Sequence, residues 1–300
     1  MATWIAGITR GHNAGVCLLK DGEIVFAVEE ERLSRAKYDG GPYASIVKIL
    51  DYTDKLDYLI VAHTQPLANS PNRVDFTGDD VYTGLCRKLG LIDNGPNVNV
   101  YNHPQVVDLS HMHHKLHAAC AFYRSGFETA TGVIVDGAGT FIPMKHILND
   151  NDMLYELETI FTCEYPAKFT TKWKHLGANG PFISSRVTDM TSEKYEEEGT
   201  HIAVMDEMAG IVKAYEAVTQ YCGFTAIEAG KTMGLSPYGK PNDKIPTIYE
   251  KHGDWTSANR HLITPTYPNG ARIAEGRWEF LATPEELYDD PKQLADFENR

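Results

Sequence analysis

The stretch from Ser110 to Phe127 reads S-H-M-H-H-K-L-H-A-A-C-A-F-Y-R-S-G-F. It carries His111, His113, His114 and His117, four of the 12 histidines in the chain. Ala118, Ala119, Cys120, Ala121 and Phe122 follow; they suit a helix that packs closely against a neighbour. Gly126 supplies a C-terminal stop. On such a helix His113 and His117 stand four residues apart on one face. Two neutral imidazoles at that spacing can grip one divalent ion. The same spacing also describes a surface or hydrogen-bonded pair. A catalytic metal ordinarily has three protein ligands, so a partner has to come from elsewhere in the chain.

Upstream, residues 4–10 (W-I-A-G-I-T-R) and 16–19 (V-C-L-L) read as strands joined by G-H-N-A-G. A turn at Lys20–Glu23 leads to a third strand, Ile24 to Val28, which completes an antiparallel meander. The run Glu29–Arg35 (E-E-E-R-L-S-R) reads as a solvated charged turn. Glycines in the 11–15 loop let backbone N–H groups approach a phosphate, although tight hairpins use glycine without any ligand. A short helix (45–50), a buried strand (56–62), a loop (65–80), a helix (81–89) and a strand (97–101) lead to the histidine helix.

Downstream, the strand Gly132 to Val135 runs into D-G-A-G-T, residues 136–140, and a strand resumes at Phe141. This is either an ordinary D-G hairpin turn or one whose carboxylate holds Mg²⁺ while its glycine amides face phosphates. Glu156 to Glu164 reads as a strand, and 165–200 as a polar, irregular surface excursion. Met205 to Cys222 has a helical apolar face of Met208, Ile211, Val212, Tyr215, Val218 and Cys222, stopped by Gly223. Then E-A-G-K-T-M-G-L-S-P-Y-G-K-P (228–241) reads as a helix start and a rigid turn, with Lys231 placed to reach an anion. It is not a Walker loop. Asp290-Pro291 opens a helix with Leu294 and Phe297 on its apolar side.

Three hundred residues make one large domain or two ordinary ones. No apolar run approaches the ~20 residues that cross a bilayer, and residues 1–5 show no signal-peptide pattern. Five scattered cysteines without C-x-x-C suit reduced thiols in a cytoplasm. The formal charge of −13 argues against nucleic acid as a main partner. Two candidate phosphate loops, one in each half, suggest an α/β chain of actin-like ATPase architecture with mixed sheets. Its lobes would be 1–125 and 126–300, closing on a nucleotide.

Four stretches in this order carry a family resemblance: G-H-N-A-G with D-G-E-I-V-F-A-V-E-E-E-R-L-S-R; H-H-K-L-H-A-A-C-A-F; V-D-G-A-G-T; and G-K-T-M-G-L-S-P-Y-G-K-P. The chain resembles the O-carbamoyltransferases of nodulation and antibiotic biosynthesis. Their N-terminal domain is similar to the protein that transfers threonylcarbamoyl to tRNA. The resemblance implies that His113 and His117 bind a divalent metal, Fe²⁺ first, with His114 as the motif's second histidine. Asp136, Gly137 and Gly139 match the second phosphate loop. Gly11, His12 and Asn13 match the first, where the family usually has aspartate in place of Asn13. Glu228, Gly230 and Lys231 match a nucleotide-side stretch.

The implied reaction makes carbamoyladenylate from carbamoyl phosphate and ATP with Mg²⁺, then passes the carbamoyl group to a hydroxyl of a small acceptor. Lys231 and the loop amides would stabilise negative charge, and His12 would serve as base. The family takes a third metal ligand, an aspartate, from a loop further along. It also carries a YrdC-like domain, which would act here in cis or in trans. No stretch of the 300 residues matches that domain, so the expectation is a piece of a longer protein or a short form that needs a partner. Two other readings compete. One is a tRNA threonylcarbamoyl transferase-like enzyme. The other is a non-catalytic nucleotide-binding module.

Overall fold

The computed structural model describes residues 2–11, 13–62, 83–94, 103–143, 153–178, 201–206, 210–241, 249–252 and 255–258. The chain is mixed α/β and divides into two compact units, Met1–Leu116 and His117–Arg300. The expected strand at 97–101, the 65–80 loop and the helix after Asp290 lie outside the described residues.

In the first unit, β1 (Trp4–Thr9), β2 (Gly15–Lys20) and β3 (Glu23–Glu29) form the expected antiparallel meander. β4 (Tyr58–Ala62) pairs parallel to β1, and β5 (Val106–Asp108) parallel to β4. The sheet order is β3-β2-β1-β4-β5. Alternate residues of the central strands (Ala6, Ile8, Val16, Leu18, Leu59) face one core with Ile46, Ile49, Leu85, Leu91 and Ile92. Several of these come from α2 (Tyr43–Lys48) and α3 (Gly84–Lys88) or their flanks.

The acidic run after β3 is not a solvated turn. It forms α1 (Glu30–Ser34), and Glu30 is only 3% exposed. Its carboxylate accepts the N–H groups of Ala44 and Ser45 at 2.8 Å each, and the Ser45 hydroxyl at 2.7 Å. Pro42, the N-cap of α2, has no side-chain acceptor of its own. A carboxylate upstream therefore satisfies the orphan amides and faces the positive end of the helix.

Gly15 marks the tightest point of the meander. A Cβ there would lie 2.4 Å from the Val28 carbonyl oxygen and 3.1 Å from Glu29 Cα, both backbone atoms. Gly15→Ala would have to push β2 and β3 apart. The expected cost is about 2–4 kcal/mol, a fall in Tm on the order of 10 °C by circular dichroism. Gly7→Ala, whose Cβ meets only the Cys17 carbonyl oxygen at 3.9 Å, should be nearly neutral. Equal losses for the two would refute the steric argument.

The second unit is built on β8 (Met153–Glu164), which pairs antiparallel with β6 (Thr129–Val135), β7 (Phe141–Pro143) and β9 (Lys168–Ala178); β10 (His201–Asp206) lies parallel to β9. Three expectations are corrected here. First, β6 and β7 do not form a hairpin. Both run along the same strand, Val135 opposite Glu158 and Phe141 opposite Tyr155, so the five residues 136–140 span Glu156 and Leu157. D-G-A-G-T is thus a wide bulge in one strand line. Second, 168–178 is a regular strand, not an irregular excursion. Third, Met205 belongs to β10, and α5 runs only over Ile211–Tyr221. Ile211 and Tyr215 are exposed, while Ala214 and Val218 carry its buried face.

α4 (His113–Ser125) begins at the end of the first unit, and its body packs on the sheet of the second. Ala118 and Phe122 join Phe161 and Cys163 in a small core. A Cβ on Gly132 would meet Ala118 Cβ at 3.7 Å and Cys163 Sγ at 3.3 Å, so small residues on helix and strand set the close approach. Gly126, at φ 75°, ends the helix as expected. α6 (Ala229–Leu235) is helical through Gly234, where a turn was expected. A short hairpin, β11 (Tyr249–His252) with β12 (Trp255–Ala258), completes the described elements.

Candidate metal centre

α4 sorts its histidines by face. His114 is fully buried and stands in the i, i+4 row with Ala118 and Phe122. It belongs to the packing side. His113 and His117 lie on the neighbouring row, half-buried and exposed respectively. Asp136, the first residue of the bulge, completes a group with them. One ligand atom from each of His113, His117 and Asp136 lies within 4.8 Å of the others. His117 Nε2 is 3.9 Å from Asp136 Oδ2, too long for a hydrogen bond.

The donor chemistry fits a divalent ion. Metal bonds of about 2.0–2.2 Å put neighbouring donor atoms roughly 3–4 Å apart, so side-chain rotation suffices to close the set. Two imidazoles and one carboxylate leave positions for substrate, the pattern of non-haem Fe²⁺ sites and of catalytic Zn²⁺. The family resemblance places Asp136 in a phosphate loop and a third ligand further along the chain. The bulge places Asp136 beside the histidines, a consequence of β6–β8 register that no local pattern displays.

The bulge is fastened along β8. Asp136 N–H donates to the Leu157 carbonyl and Gly139 N–H to the Glu156 carbonyl, both at 2.8 Å. Thr140 N–H donates to Glu156 Oε2 at 2.9 Å, and Gly137 N–H to Asp136 Oδ1 at 2.7 Å. The Gly137 and Gly139 amides are therefore engaged internally, and the bulge offers its carboxylate first. Glu156 is held in turn by the buried Lys174 ammonium.

Helix α5 backs the bulge. A Cβ on Gly137 would lie 3.1 Å from Glu216 Oε1 and 3.2 Å from Val212 Cγ1. Burial raises the Glu216 carboxyl above its usual range, the Lys213 ammonium at 3.0 Å opposes this, and the nearby Asp136 charge adds to it. Glu158 fixes the start of the helix: its Oε1 accepts the Ile211 N–H at 2.8 Å, and its Oε2 pairs with His175 Nδ1. No local pattern marks Glu158, Glu216 or Lys213, because isolated charges look like solvated ones.

The remaining expected residues fall into two groups. Glu228, Gly230 and Lys231 sit together at the start of α6, which is tied to α5 by Thr232 Oγ1 donating to Thr219 Oγ1 at 2.9 Å. The Lys231 ammonium pairs with Glu228 and lies 5.4 Å from the centre of the Phe224 ring. That bond, with the Thr225 N–H, holds the Glu228 carboxyl down at about 2. Gly11 and Asn13 lie in the loop of the first unit; Gly11 has φ 109° and Asn13 is exposed. His12 lies outside the described residues.

The chain is similar to two curated proteins. The nodulation protein NolNO of Sinorhizobium fredii is 25% identical over 253 residues, 80% of this chain and 30% of that protein. An uncharacterized protein of Synechocystis sp. is 26% identical over 266 residues, 80% of this chain and 35% of that protein. The chain thus spans about a third of the length of these relatives. The family model described as carbamoyltransferase N-terminus matches residues 82–261, a segment that contains α4, the bulge, α5 and α6, and the chain belongs to that family.

Proposed function

We propose that this chain supplies the transfer part of an O-carbamoyltransferase, which uses carbamoyl phosphate and ATP and delivers the carbamoyl group to a hydroxyl of a small acceptor. The observation that carries the reading is the His113–His117–Asp136 donor set within the family segment. The first-unit order β3-β2-β1-β4-β5, three antiparallel strands followed by parallel ones, supports an actin-like ATPase architecture. The five cysteines, all among the described residues, are thiols and not disulfides, which supports a reducing, cytoplasmic setting. No helix among the described residues is long and apolar enough to cross a membrane.

In this reading carbamoyladenylate is made with a YrdC-like domain, in cis or in trans. The acceptor oxygen bonds to the carbamoyl carbon, the bond from that carbon to the adenylate phosphate oxygen breaks, and AMP leaves with the electron pair. The hydroxyl proton passes to a base, for which His12 is the candidate. A divalent ion such as Fe²⁺, held by His113, His117 and Asp136, supplies Lewis-acid polarisation when bound. The chain itself orients the reactants. Glu228, Gly230 and Lys231 at the start of α6 take the Mg²⁺-nucleotide, and the Lys231 ammonium offsets negative charge on the leaving phosphate.

Carbamoyladenylate supplied directly to the chain bypasses the activation step. AMP release that depends on a small hydroxyl acceptor is expected, falling about a hundredfold or more in Asp136→Asn. Release that depends on tRNA alone would replace this reading with a threonylcarbamoyl-type enzyme. Nucleotide binding without AMP release would leave a binding module.

A further inference from the structure

Arg10 stands between the end of β1 and the G-H-N-A-G loop, and no role attaches to it in the reading above. Its Nε donates to the Gly40 carbonyl at 3.3 Å, and the Gly11 N–H reaches the same oxygen at 3.5 Å. The guanidinium is therefore pinned where the 11–15 loop meets the Asp39-Gly40-Gly41 turn. The contact is close: a Cβ on Gly40 would lie 3.4 Å from the Gly11 carbonyl oxygen. Arg10 is half-buried.

Among the described residues no carboxylate pairs with it. The acids nearest in sequence are engaged elsewhere. Glu30 caps α2, Glu31 accepts the Tyr38 N–H and pairs with Arg32, and Asp39 accepts the Gly41 N–H. A half-buried guanidinium that has lost part of its hydration gains most from an anion. Anchoring through Nε leaves the two terminal nitrogens, the donors that match two oxygens of a phosphate at once.

We infer that Arg10 is an anion-binding residue that grips a phosphate oxyanion at the first glycine loop. The inference rests on the transferase reading only for where that phosphate comes from, a small phosphorylated donor or the polyphosphate of a nucleotide. The pinned fork gives the site its charge and direction.

The test is calorimetric titration of the full chain with inorganic phosphate, pyrophosphate and Mg-ATP. Arg10→Gln should weaken binding about tenfold or more, and Arg10→Lys should recover only part of it, because an ammonium is a point charge without the fork. Arg35→Gln, at an exposed position, should stay within about twofold. A loss on phosphate and pyrophosphate points to a small phosphorylated donor, and a loss confined to Mg-ATP points to the nucleotide. Unchanged binding of all three probes in Arg10→Gln, or no binding by the wild type, overturns the inference. If the glutamine variant fails to fold, the lysine variant decides. Phosphate gripped through Arg10 in a chain that transfers no carbamoyl group keeps the site and removes the transferase reading. Transfer with unchanged phosphate affinity in Arg10→Gln does the reverse.

Discussion

His117→Ala and Asp136→Asn are each expected to lower divalent-metal affinity by about a hundredfold or more, and His113→Ala/His117→Ala to abolish it. The three donors lie within 4.8 Å of one another, and each supplies one ligand atom, so removing one leaves two. Two ligands do not define a closed geometry and leave the ion mostly to water. His114→Ala is the decisive contrast. His114 is next in sequence but fully buried on the packing row, so its loss should lower stability and leave metal stoichiometry intact. Metal content after dialysis, with titration of Fe²⁺, Mn²⁺ and Zn²⁺, reads both effects. Full occupancy in His117→Ala, or loss of metal from a folded His114→Ala protein, would sink the assignment.

What the sequence made legible was local. The meander and its glycine loop follow from alternation over a few residues, and α4 from small residues ended by Gly126. What it hid depends on partners far along the chain. Glu30 reads as a surface charge until Ala44 and Ser45 come to it. The D-G-A-G-T turn reads as a hairpin because the dipeptide signal concerns only its own neighbours, whereas both flanking strands pair with β8. Residues 168–178 look irregular because Lys174 and His175 interrupt the apolar pattern, and both are buried against Glu156 and Glu158. The same cause hid the third candidate donor. Asp136 was visible as a strand-end carboxylate, but its place beside His117 is set by tertiary packing.

Glu158→Ala is expected to cost about 3–5 kcal/mol of stability, because it orphans a buried imidazole and the first amide of α5 at once. The His175 imidazole is 1% exposed and loses its carboxylate partner, and the Ile211 amide loses the acceptor that holds the first turn of α5. Glu158→Gln keeps a carbonyl oxygen for Ile211 and should cost less than half as much. The consequence reaches the metal centre, because α5 presents Val212 and Glu216 to Gly137, the residue after Asp136. When the helix start loosens, the bulge loses its backing and Asp136 its fixed direction. The alanine variant should therefore also bind metal at least several-fold more weakly at a temperature where it is still folded, with Glu158→Gln restoring most of that affinity. Urea unfolding gives the first number and metal titration the second. A large stability loss with unchanged metal affinity would mean that Glu158 only holds the unit together, and that the bulge keeps its shape through its own bonds to β8.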